Sequence, residues 1–114
     1  MKLTELIQKL NLNVRSAKAQ LDREVTGGYA SDLLSDVLAN SEEGNLWITL
    51  QIHQNIVGVA SMKDLAGIIL VNNREPEQET LEKAEAEGLP IMVTEMPTFE
   101  LVGKLYSLGI VGTK

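Results

Sequence analysis

The sequence predicts an α/β domain with a largely parallel sheet covered by helices on both faces. Three observations carry this. From residue 46 onward the elements alternate strand, helix, strand, helix, strand, helix, the order produced by right-handed βαβ crossovers. Leu46-Trp47-Ile48-Thr49-Leu50 is β-branched, aromatic and apolar on both faces, as in a strand buried on both sides. Ile68-Ile69-Leu70-Val71 is a continuous apolar run of strand length, stopped by Asn72-Asn73.

Each element has its own signal. Leu3, Ile7 and Leu10 at helical spacing predict a helix over residues 3–10, ended by Asn11 and Asn13. Residues 14–17 read as a short strand, and residues 19–24 favour no element. Val25-Thr26-Gly27-Gly28-Tyr29 reads as a strand whose Gly pair allows a bulge or a close backbone approach. Ser31 is the expected N-cap of a helix carrying Leu33, Leu34, Val37 and Leu38. Residues 40–45 read as a loop. Asn55 is expected to cap a helix through Ile56, Val57, Val59, Ala60 and Met62. Pro76 is placed in the first turn of the next helix, which ends near Gly88. Ile91-Met92-Val93 is the next strand. Pro97 opens the last helix, which Gly109 stops. That helix has two alternative core faces: Phe99, Val102 and Leu105, or Leu101, Leu105 and Leu108.

Composition narrows the function. The chain has 114 residues, which fits one domain over residues 1–114 with a single core. Sixteen Asp or Glu against ten Lys or Arg give a net charge of −6. Nucleic acids and anionic membranes need clustered cations, so neither is an expected partner. No cysteine excludes a disulfide framework, a thiolate nucleophile, and cysteine-ligated zinc or iron–sulfur clusters. His53 is the lone histidine, so no multi-histidine metal site forms within one chain. No cofactor or metal is predicted. No apolar run reaches the roughly 20 residues of a membrane span, and the first residues lack a signal-peptide core. The expected location is cytoplasmic.

Several residue groups invite a chemical reading. Gly27-Gly28 ahead of a helix suggests a phosphate loop, but no G-x-x-x-x-G-K-[ST] or G-x-G-x-x-G pattern accompanies it. Asp32 at that helix start would repel a phosphate. Tight backbone packing is therefore the favoured role of the Gly pair. Asp32 and Asp36, four apart, would share a helix face, but two carboxylates alone make a poor cation site. Trp47 and Thr49 share one face of a strand, and His53 and Asn55 follow beyond its C-terminal end. Ligands in open α/β sheets bind at that end. The plainer alternative puts Trp47 in the core, Asn55 at a helix start and His53 on the surface. Serines, His53 and aspartates supply triad ingredients without a G-x-S-x-G elbow, so no catalytic residues are assigned. The glutamates between residues 75 and 87 read as a solvated helix face, with Glu79 and Lys83 spaced for a weak ion pair.

Asp22-Arg23 followed by Thr26-Gly27-Gly28 resembles the name-giving pattern of the DRTGG domain, with Glu24-Val25 between the two parts. The stretch Ser31-Asp32-Leu33-Leu34-Ser35-Asp36-Val37 is similar to stand-alone members of this family. So are Leu46-Trp47-Ile48-Thr49 with His53, Asn55-Ile56-Val57 and Val59-Ala60, and the tail Pro97-Thr98-Phe99-Glu100-Leu101 with Leu105 and Gly109. The resemblance covers about residues 12–110. It implies a three-layer α/β/α sandwich with a mostly parallel sheet of about four to five strands, similar to the N-terminal domain of HPr kinase. That enzyme's phosphate-binding loop lies in another domain, so kinase activity is not implied. Family members stand beside CBS pairs, beside a cobyrinic-acid synthase-like ATPase domain and in long phosphotransacetylases, and short ones are encoded near iron-only hydrogenases. The family has no agreed catalytic residues.

The resulting expectation is a non-catalytic regulatory or ligand-sensing module. It would be homodimeric, take a small ligand such as a nucleotide, and serve a metabolic or hydrogenase partner enzyme. Gly27, Gly28, Asp32, Thr49, His53 and Asn55 would line the pocket or dimer seam, with Trp47 as the seam anchor. The alternatives are a purely structural dimerisation adaptor, and a small-molecule enzyme using His53 as acid/base with Asp32.

Overall fold

Side-chain alternation along the inner strands divides the core in two. The computed structural model describes residues 1–113. Its elements are α1 (Leu3–Leu10), β1 (Asn13–Val14), a 3-10 turn (Lys18–Gln20), β2 (Gly27–Ala30), α2 (Leu34–Asn40), β3 (Asn45–Thr49), α3 (Asn55–Met62), β4 (Gly67–Leu70), α4 (Gln78–Glu87), β5 (Ile91–Val93) and α5 (Thr98–Ser107). The sheet order is β1-β5-β4-β3-β2. Strands β2 to β5 run parallel, and β1 joins β5 antiparallel.

Leu46, Ile48, Ile69, Val71 and Met92 face one way, against Leu3 and Leu6 of α1 and Leu101 and Leu105 of α5. Trp47, Ile68, Leu70, Ile91 and Val93 face the other way, against Val37 of α2, the apolar side of α3 and Ala84 of α4. The fold is thus an α/β/α sandwich with a mostly parallel five-stranded sheet. Helix α1 belongs to the same core, although it lies before the stretch that the resemblance covers.

Local boundaries shift where tertiary hydrogen bonds outcompete local signals. Ser31 does not cap α2, whose N-cap is Leu33. The Ser31 N–H continues the ladder to the Ile48 carbonyl at 3.2 Å, and its carbonyl accepts Trp47 Nε1–H at 2.8 Å. Its hydroxyl instead accepts the Leu33 N–H at 3.2 Å. Asn55 is the first residue of α3 rather than its cap, which is Gln54. Pro76 precedes α4, whose N-cap is Glu77. On α5 the second expected core face is the real one: Leu101 and Leu105 are buried, while Phe99 is 88% exposed.

The Gly pair meets the backbone of the C-terminal segment. Gly28 N–H donates to the Val111 carbonyl at 3.0 Å, which covers part of the free edge of β2. A Cβ at Gly27 would lie 2.6 Å from Thr113 Cγ2 and 2.7 Å from the Val111 carbonyl oxygen. Gly27→Ala is therefore expected to cost about 1–3 kcal/mol through overpacking. Gly58→Ala on α3, where only Lys83 Nζ comes near at 3.9 Å, should instead be neutral or stabilising by up to about 1 kcal/mol. Paired thermal melts check this; equal melting temperatures for the two variants would contradict the packing role of Gly27.

Candidate functional site

The residues singled out from the sequence separate into four places. At the C-terminal edge of the sheet, Asp32 and Thr49 come together. Thr49 Oγ1–H and Leu50 N–H both donate to Asp32 Oδ1 at 2.7 Å. Gln51 completes the knot: its N–H donates to Thr49 Oγ1 at 3.1 Å and its Nε2–H to the Asp32 carbonyl at 2.9 Å. Arg74 Nε–H closes the far side on the Leu50 carbonyl at 3.2 Å. These groups satisfy one another, and the arrangement ties the β2–α2 link to the end of β3.

Trp47 is fully buried inside the chain, so it presents no surface to a second copy. Its side chain fills the layer beneath α2, α3 and α4, and its Nε1–H holds Ser31. The seam-anchor role is corrected accordingly. His53 and Asn55 form a separate exposed pair, in which His53 Nδ1 accepts the Asn55 N–H at 3.2 Å and contacts Asn55 Oδ1. Gly27 and Gly28 lie toward the opposite end of β2. Five residues of extended chain put Gly27 about 16 Å from Asp32.

Asp32 and Asp36 do not share a helix face, because α2 starts only at Leu34. The Tyr29 hydroxyl donates to Asp36 at 2.9–3.0 Å, and Asn40 Nδ2–H donates at 2.9 Å. Hydrogen bonding from Ser31, then Tyr29 and Asn40, holds the Asp36 carboxyl below the usual range. Among the described residues no group of three or more His, Asp or Glu is placed to hold a metal. No helix there is long and apolar enough to cross a membrane. Glu79 does not close an ion pair with Lys83; it accepts from Gln54 Nε2 at 3.1 Å.

The Asp22-Arg23…Thr26 string packs at the N-terminal end of the sheet. Arg23 donates to the carbonyls of Gln20, Ala66 and Gly88 at 2.8, 3.4 and 3.3 Å, and so ties the start of β4 to the end of α4. Asp22 pairs with Lys2 at 3.3 Å. Thr26 Oγ1–H donates to the Glu43 carbonyl at 2.8 Å and accepts from Asn45 Nδ2 at 3.2 Å.

Two concavities stand apart from these knots. A largely polar one of about 570 Å³ lies between the ends of α1 and α5 and the segment after β5, lined by Lys9, Asn11, Asn13, Thr94, Glu95, Lys104 and Ser107 together with Leu10, Met96 and Leu108. An apolar groove of about 190 Å³ lies between α5 and the edge of β2, lined by Tyr29, Ala30, Val102, Tyr106 and Val111 among others. Neither is lined by Asp32, Thr49, His53 or Asn55. Sequence reasoning did not single out Lys9, Lys104 or Tyr106. Of the residues named from the sequence for a pocket or seam, Gly28 alone lines the apolar groove, beside the apolar residues of α5.

A family model described as the DRTGG domain matches residues 5–108. The chain belongs to the DRTGG domain family. No curated protein matches it. Among solved structures, this DRTGG chain is similar to the CBS and DRTGG domains of the regulatory region of Clostridium perfringens pyrophosphatase, complexed with its activator diadenosine tetraphosphate. The TM-score is 0.70 at 14% identity, over 99% of this chain and 50% of that one. At that identity the likeness establishes the fold. The chain spans half the length of that relative.

Two predictions follow from this geometry. Trp47→Phe keeps most of the buried ring but leaves the Ser31 carbonyl without its donor, so it should lower stability by about 1–3 kcal/mol while leaving the oligomeric state unchanged. Sedimentation combined with urea unfolding checks both parts. For Asp36, a lowered folded-state pKa means that its contribution is full above the unfolded value. It is lost as pH falls through the lower folded one, in the range below about pH 4. Urea midpoints measured downward from neutral pH should drop less steeply in Asp36→Asn; an identical acid limb in both proteins would contradict this.

Proposed function

We propose that this chain is a non-catalytic regulatory module that senses a small anionic ligand of the nucleotide class. In this reading it works as a homodimer and sets the activity of a partner enzyme. The observation that carries the proposal is the polar concavity beside α1 and α5. Its volume of about 570 Å³ lies within the roughly 300–1,000 Å³ typical of small-molecule sites. Lys9 and Lys104 supply two ammonium groups for a phosphate against the one carboxylate of Glu95, and Asn11, Asn13, Thr94 and Ser107 supply hydrogen-bonding groups for the rest of a ligand.

The ligand is placed here rather than beside Asp32, Thr49, His53 and Asn55. Asp32 and Thr49 are already engaged with each other and with Gln51. Family membership supports a regulatory role, and so does the regulatory region of pyrophosphatase, which was solved with a dinucleotide activator. A ligand that prefers one arrangement of the dimer shifts the population towards it, and the partner enzyme reads that shift. A purely structural adaptor is the second reading, favoured by the exposed apolar side of α5.

The test is a thermal-shift panel of nucleotides, dinucleotides and phosphorylated metabolites, with and without Mg2+. A ligand at 100 times its dissociation constant stabilises by about 2.7 kcal/mol, which raises the melting temperature of a domain this size by several degrees. Lys9→Ala should weaken that shift, whereas His53→Ala should leave it intact. No shift across the panel with well-folded protein would overturn the sensor reading in favour of the adaptor. A shift abolished by His53→Ala would move the site back to the sheet edge.

A further inference from the structure

The polar concavity holds three charged side chains, and none is spent within the chain. Lys9, Lys104 and Glu95 line it, yet among the described residues none of them enters an ion pair or a side-chain hydrogen bond. The side-chain amides of Asn11 and Asn13 are unengaged there too. At the end of β3, by contrast, Asp32, Thr49 and Gln51 answer one another. The concavity also sits where the chain changes sides. The helices after β2, β3 and β4 pack on the face that holds Trp47, whereas α5, after β5, packs on the opposite face with α1. The connections leaving the carboxyl ends of β4 and β5 therefore diverge, and ligands of open α/β sheets bind beside such a divergence. Thr94 and Glu95, immediately after β5, line the concavity at this point.

Charge limits what the site can hold. Two ammonium groups against one carboxylate leave one positive charge, in a chain whose total is −6. Lys9 and Lys104 stand in the last turns of α1 and α5. The carbonyl ends of the two helices, each equivalent to about half a negative charge, offset the remaining one. The two lysines can hold one phosphate by direct contact. A second or third phosphate finds no further cation and meets only the field of an acidic chain.

We infer that this concavity takes a ribonucleoside monophosphate and that Glu95 is its specificity-determining residue. The inference rests on the ligand-sensing reading above and names the class of ligand. Lys9 and Lys104 hold the single phosphate. The Glu95 carboxylate, which only accepts hydrogen bonds, takes those of the ribose hydroxyls and repels additional phosphates. Leu10, Met96 and Leu108, half-buried against the core, give an apolar wall for the base.

The experiment is isothermal titration calorimetry on the full chain in Mg2+-free buffer. The probes are the four ribonucleoside 5′-monophosphates, their triphosphates, their 2′,3′-dideoxy monophosphates and ribose 5-phosphate. One monophosphate should bind about tenfold more tightly than its triphosphate, at about threefold per added negative charge. Its dideoxy analogue should bind about tenfold more weakly, through lost hydrogen bonds to a charged acceptor. Glu95→Gln removes the charge and should close most of the gap to the triphosphate. Lys104→Ala should weaken the monophosphate about tenfold. Glu95 and Lys104 are exposed and unpaired, so both variants should keep the wild-type circular dichroism spectrum. No binding by any probe would overturn the ligand-sensing reading together with this inference. A triphosphate that binds as tightly as its monophosphate, or a gap that Glu95→Gln leaves intact, would overturn the role of Glu95 alone. Ribose 5-phosphate binding as tightly as the nucleotides would overturn the ribonucleoside assignment in favour of a sugar phosphate.

Discussion

An indole buried in the core must find an acceptor for its N–H, and much of this structure is arranged around that need. Trp47 stands in the middle of β3, a strand whose five residues are all buried. Its ring fills the layer shared by α2, α3 and α4, and its Nε1–H reaches back to the Ser31 carbonyl. That bond holds the chain extended after β2, so α2 begins three residues later than Ser31. The same extension delivers Asp32 to Thr49 and Leu50, which seals the end of β3. A single buried donor thus organises the link, the helix start and the sheet edge together.

The two ends of the sheet follow one pattern. At the N-terminal end, Arg23 satisfies the carbonyls of Gln20, Ala66 and Gly88, and Thr26 and Asn45 hold the turn before β3. At the C-terminal end, Asp32, Thr49 and Gln51 satisfy each other. Polar side chains with family-like spacing therefore serve the fold at both ends. The larger polar concavity lies to one side, between α1 and α5. Lys104 lines that concavity from the α1 side of α5.

The order of elements from β3 onward was legible because buried parallel strands write themselves as unbroken apolar runs. The sequence left the Gly pair between packing and binding; the tight approach at Gly27 comes from the C-terminal segment, a contact with no local signal. Helix α5 shows the limit of periodicity. Two stripes fit helical spacing equally well, but only the one with Leu101 and Leu105 faces the core, while Phe99 is exposed. The sequence could not rank them, since burial depends on the angle at which α5 returns to the sheet. His53 and Asn55 looked like a continuation of Trp47 and Thr49, yet the turn after Thr49 carries them out to the surface.

Local chemistry along the chain determined the class of fold, the alternation of strands and helices, and the absence of cysteine chemistry, since each follows from residue types and spacing. Tertiary structure decided which polar groups found each other. Trp47 was committed inward, Asp32 to Thr49, and Gly27 to the C-terminal segment, through partners 16, 17 and more than 80 residues away. Hydrogen bonds and close contacts over such separations carry no sequence period, so only the folded chain reveals them.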